Sequence, residues 1–89
     1  MNADLTLTAY DKQTEYLSKV LVLPSDLLGY AREIAGVPGT DRDVLGVYPL
    51  TEQQAAAIAG KPALNLETGA YDYCLETIAR DERPKAHRA

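Results

Sequence analysis

Asp41, Asp43, Gly46 and Glu52 stand at the first, third, sixth and twelfth places of a calcium-binding loop, a spacing that lets carboxylates converge on one hard cation. Leu45 occupies the fifth place, where a ligand oxygen is required, and Pro49 the place that usually holds a polar residue or water. The segment therefore reads as a turn with two acidic side chains, followed by a helix with an acidic first residue, and no metal is expected. His87 is the only histidine and lies in a charged stretch beyond the patterned part of the chain, so it is not expected to activate a nucleophile or hold a metal. Cys74 is a lone cysteine among apolar neighbours, the setting of an inert buried thiol. No Gly-x-Gly occurs, and neither Gly36 nor Gly39 is followed by a lysine at phosphate-loop spacing, so no nucleotide or other cofactor is expected. Asp72 and Glu76 can be paired as acid and base. Without a pocket to converge on, two such carboxylates serve solvation, and the chain is read as non-enzymatic.

The aromatic composition is more informative: six tyrosines with no Phe and no Trp. A tyrosine packs its ring while leaving the hydroxyl wet, which suits the rim of a small core and a protein interface alike. Tyr71, Asp72 and Tyr73 with nearby Glu76 form the first candidate for a partner-binding face, and Asp41 with Asp43 the second.

These residues need elements to position them. Asp4 to Tyr10 alternates Leu5, Leu7 and Ala9 with Thr6, Thr8 and Tyr10, the period of a half-buried strand. Asp11 to Thr14 is a polar turn, and Glu15 to Leu23 resumes as a second strand, giving a hairpin. That second strand turns apolar on both faces, which predicts a central place in the sheet or an edge covered by a partner. Pro24 and Ser25 break it, and a helix is expected to start on a Ser25 cap, with Leu27, Leu28, Ala31, Ile34 and Ala35 on one stripe and Gly36 closing it. Val44 to Leu50 reads as a short edge strand, weakened by Gly46 and Pro49. Thr51 to Gln54 matches the reciprocal capping pattern, so a second, alanine-rich helix begins near Glu52 and ends at Gly60 and Pro62. From Tyr71 both periods fit, and the β-forming Tyr-Asp-Tyr-Cys favours a strand. The expectation is an α+β domain, a small mostly antiparallel sheet with two helices in the order β-β-α-β-α-β.

Length and charge bound the function. A chain of 89 residues makes one small domain, here residues 1–80, with 81–89 expected to be a flexible charged tail. No apolar run approaches the ~20 residues that span a bilayer, and Met1 to Tyr10 lacks a basic start with an apolar block; a cytoplasmic location and no membrane partner are expected. Residues 1–79 hold 11 acidic against 5 basic side chains, a net charge of −6. Such a body does not favour direct contact with nucleic acid, and steers a basic protein toward it.

The order of these segments resembles a family of small bacterial proteins of uncharacterised function. The resemblance is carried by Tyr10-Asp11-Lys12-Gln13-Thr14 as the hairpin turn, by Tyr48 to Gln54, and by Tyr-Asp-Tyr-Cys-Leu-Glu, and covers roughly residues 5 to 76. Such proteins are found among the immunity proteins of contact-dependent growth inhibition and related polymorphic toxin systems. The resemblance implies a protein that binds and neutralises the toxin domain of a sister cell, such as a nuclease. The alternative is a small regulatory or ligand-sensing domain that acts as a homodimer through an open sheet edge.

Overall fold

Alternating side chains in residues 3 to 11 build the first strand, β1 (Ala3–Asp11), and a polar turn folds the chain back into β2 (Leu17–Val22). Asp11 organises that turn: its carboxylate accepts the amides of Gln13 and Thr14, and its backbone carbonyl accepts the amide of Glu15 at 2.7 Å. Glu15 sits in the left-handed region at φ 66°. In the computed structural model, which describes residues 3–80, the chain continues through a 3-10 turn at Ser25–Leu27 into α1 (Leu28–Ala35), then β3 (Tyr48–Pro49), α2 (Glu52–Gly60) and β4 (Tyr71–Ala79). The expected tail, residues 81–89, lies outside the described residues. The order is β-β-α-β-α-β, and all four strands pair antiparallel in one sheet, β2-β1-β4-β3. This is the expected α+β fold.

Local chemistry explains the helix boundaries. Gly36 closes α1 at φ 72°, and the amides of Gly36 and Val37 return to the carbonyls of Glu33 and Arg32, the left-handed closure that glycine adopts without strain. Thr51 and Gln54 cap α2 reciprocally, Oγ1 accepting the Gln54 amide at 3.0 Å and Oε1 accepting the Thr51 amide at 2.8 Å. Ser25 does not cap α1, because the chain first makes a 3-10 turn closed by the Leu27 amide on the Pro24 carbonyl. The end of α2 also differs from expectation. Gly60 is its last residue, and the left-handed turn beyond falls on Ala63, φ 60°, with the Leu64 amide on the Ala59 carbonyl.

One sheet expectation is corrected, and one open alternative is decided. The strand expected over Val44 to Leu50 shrinks to Tyr48 and Pro49, paired with Leu75 and Cys74. The Asp41 carboxylate captures the amides of Leu45 and Gly46, which are then not available for a ladder. β2, apolar on both faces, lies at an edge, one of the two places its pattern allowed, and not at the centre. Its two-sidedness reflects a sheet in which Leu21 pairs with Leu7 on the helix side, while Val20 and Val22 flank Thr8 and Thr6 on the other.

Both helices pack on one side of the sheet. Leu5, Leu7, Ala9, Tyr73 and Leu75 on that side form one cluster with Ala31 of α1 and with Ala55, Ile58 and Ala59 of α2. The alanines let α2 approach closely, and Ile58 supplies its one large buried side chain. The result is a two-layer domain in which, among the described residues, the second sheet face carries no helix. Among the described residues, no helix is long and apolar enough to cross a membrane.

Candidate functional site

The register of β1 and β4 decides what that second face displays. Thr6 pairs with Glu76, Thr8 with Cys74 and Tyr10 with Asp72, and paired residues of an antiparallel ladder share a face. Strand alternation thus brings Asp72 and Glu76 to the open face and sends Tyr71 and Tyr73 to the helix face. Tyr73 is only 4% exposed, its hydroxyl accepting the Glu67 amide at 3.0 Å. Tyr71 packs edge-on against Tyr73 beneath the Lys19 ammonium. The first candidate face is therefore divided, its two acids on one side of the sheet and its two tyrosines on the other.

Glu76 stands at the centre of the open face. Its Oε2 accepts a hydrogen bond from Thr8 Oγ1 at 2.6 Å and from Tyr10 Oη at 2.7 Å, while Thr6 Oγ1 donates to its backbone carbonyl at 2.8 Å. Partial burial, together with the Glu76 carboxylate as acceptor and as neighbouring charge, pushes the Tyr10 hydroxyl up to about 12. The phenol stays protonated and remains a donor. Cys74, next to these groups, is raised by burial and by the charges of Glu76 and Asp72, so its thiolate, the reactive form, is disfavoured. Aliphatic side chains surround this polar centre: Val20 and Val22 from β2 and Ile78 from β4, with Val22 exposed. Asp72, further along, is exposed and held by Lys12 at 2.6 Å.

Asp41 and Asp43 lie elsewhere, in the loop between α1 and β3. Asp41 accepts the Leu45 amide, the Gly46 amide and the Tyr48 hydroxyl, and these bonds hold its carboxyl below its ordinary range. It is an organiser of the loop. Val44, buried completely, sits at φ 55°, a conformation that costs a β-branched residue roughly 1–3 kcal/mol. The contacts that offset the cost run to β4: Thr77 donates its hydroxyl to the Asp43 carbonyl and its amide to the Val44 carbonyl. The loop so pinned presents Leu45 and Val47, 77% and 54% exposed, to solvent. Asp43 also lines a cleft of about 460 Å³ with Leu5, Leu23, Leu28 and the Asp4–Arg80 ion pair; neither Asp72 nor Glu76 reaches it.

Thr8 and Tyr10 were not singled out from the sequence as site residues. Their alternation with Leu7 and Ala9 was visible, but their partner lies 66 or more positions away, and only the β1–β4 register brings it near.

Fold and site together define a two-layer α+β domain with one open sheet face, centred on a hydroxyl-held carboxylate. The chain belongs to a family described as a domain of unknown function (DUF7683), which it matches over residues 4–76. No curated protein and no solved structure matches it.

Proposed function

We propose that the chain is a non-enzymatic immunity protein that binds and neutralises a cognate toxin domain, a nuclease of a contact-dependent inhibition system. The observation that carries this reading is the open sheet face, an aliphatic patch with carboxylates in it and, among the described residues, no helix over it. The net charge of −6 over residues 1–79 gives the same direction, since an acidic body attracts the basic surface with which a nuclease holds its substrate. An interface of ordinary size removes about 800 Å² from each partner. Inhibition needs no chemistry from this chain, only occupation or shielding of the toxin's cleft.

The test is co-expression with the C-terminal domain of the protein encoded directly upstream, followed by size-exclusion chromatography and a growth assay. A co-eluting complex and restored growth are expected. A neighbour without toxicity, or separate elution at micromolar concentration, overturns the reading. A homodimeric sensing domain is the second reading, favoured by the free edge of β2 and by the cleft beside Asp43. It predicts a dimer of this chain alone, against the monomer that the first reading expects.

A further inference from the structure

Among the described residues, Asp72 and Glu76 belong to the open face and Asp4 lies at its end beside the cleft, and the three carboxylates are balanced differently. Asp4 is bridged by the Arg80 guanidinium at 3.1 Å and Asp72 by the Lys12 ammonium at 2.6 Å. Glu76 is held by hydroxyls alone, and both of them donate to Oε2. Among the described residues nothing donates to its Oε1. A carboxylate offers about four lone-pair sites, so the oxygen free of partners retains its full accepting capacity while the other is pinned.

We propose that Glu76 is the anchor point for a partner's basic side chain, an arginine or lysine whose terminal N–H groups reach Oε1 while its aliphatic stem and apolar neighbours lie on Val20, Val22 and Ile78. This rests on the toxin-binding reading for the identity of the partner, and on the sheet face for the chemistry. A purely apolar partner covering this face would bury an anion without a counter-charge, which is strongly unfavourable. A second copy of this chain is disfavoured for a related reason. In a two-fold dimer the same patch meets itself, and a carboxylate near the middle of the patch is brought toward its own image. A cation removes both difficulties, and an arginine is the better match because its weakly hydrated plane tolerates an apolar rim. Thr8 and Tyr10 are positioning residues: they fix the Glu76 side chain before the partner arrives, so that less rotamer freedom is lost on binding.

Two measurements test this. In the toxin complex, Glu76→Gln is expected to weaken binding about thirtyfold or more, the loss that follows when one member of a desolvated charged hydrogen-bonded pair is neutralised, and to reduce the salt dependence of affinity. Glu33→Gln, exposed on α1 at the other side of the sheet, is expected to leave both unchanged. Tyr10→Phe keeps the charge but frees the side chain, and is expected to weaken binding by a smaller factor than Glu76→Gln. Independently of any toxin, titration of the isotopically labelled protein with n-butylguanidinium, followed by NMR, is expected to shift the amides around Thr8 and Glu76 saturably in the wild type and not in Glu76→Gln. Thermal unfolding of each variant establishes that it is folded. Probe docking at Glu76 without a toxin complex overturns the immunity reading and leaves the site standing. A toxin complex indifferent to Glu76→Gln overturns the site and leaves the immunity reading standing. Shifts spread evenly over all surface carboxylates likewise overturn the site.

Discussion

Leu7 and Thr8 are neighbours in one strand, and both are 0% exposed, yet they are buried by different means. Leu7 points into the cluster formed by the two helices and β4. Thr8 points to the face without a helix, where it is enclosed by its strand neighbours and bonded to the Glu76 carboxylate. The helix face is held by apolar burial, which is non-directional and needs only shape and volume. The open face is held by hydrogen bonds whose donors and acceptor must be aligned, and a charge remains within it. Equal burial therefore marks two distinct tasks: one face closes the fold, and the other presents an ordered, chemically specific surface.

Substitutions on the two faces should differ in kind and in size. The largest effect is expected from Leu75→Ala, which empties a fully buried site between the helices and the sheet. It should cost about 2–5 kcal/mol, read as a lower denaturant midpoint. Thr8→Val keeps the shape and removes one donor to the Glu76 carboxylate; about 1–2 kcal/mol is expected, with the Tyr10–Glu76 bond left in place. A loss for Thr8→Val equal to that of Leu75→Ala would show that the open face closes the fold as much as the helix face does. Thr51→Ala removes the hydroxyl half of the capping box on α2. It should cost about 1 kcal/mol and leave binding on the opposite face untouched, which equilibrium unfolding and the growth assay together can check.

The smallest expected effects are pH-dependent and separate the open face from the loop beside it. Tyr10 ionises near 10 when unfolded and at about 12 in the fold, so folding favours the protonated phenol. Its contribution is complete below pH 10 and is lost as the pH rises toward and past 12. Spectroscopic titration of the phenols should show Tyr10 ionising late, with Tyr48 also raised by its bond to the Asp41 carboxylate; Tyr10→Phe should remove the first and leave the second. Asp41 has the opposite sign. Its folded value is lowered by the Tyr48 hydroxyl and by two backbone amides, so its contribution is present above the ordinary carboxylate range and is lost as the pH falls through the lowered value. Acid unfolding of Asp41→Asn should lack that segment of the curve.

Much of the architecture was legible in short stretches. The alternation of β1, the Asp11 turn, Gly36 as closing residue and the Thr51–Gln54 cap are each written within a few consecutive residues, and each formed as read. The ambiguity at Tyr71 was resolved as a strand, as its β-forming residues favoured. The failures have local causes as well. Asp41 took the amides of Leu45 and Gly46 out of the expected strand, and a 3-10 turn displaced the Ser25 cap. The candidate site was legible in part: Asp72 and Glu76 share a face, but the same two-residue period that unites them separates them from Tyr71 and Tyr73.

The element types, the Gly36 closure, the Thr51–Gln54 cap, the acidic balance and the two-faced character of β1 were set by the amino-acid sequence, because each depends on neighbours in the chain and on side-chain chemistry alone. Tertiary structure decided that β2 lies at the edge, that both helices share one side, and that Tyr10 and Thr8 meet Glu76. Those outcomes depend on strand order and register, and for the Glu76 contacts on partners 66 or more positions apart in the chain. Such pairings are selected by the packing of the whole sheet against its helices, and no local window of the chain contains them.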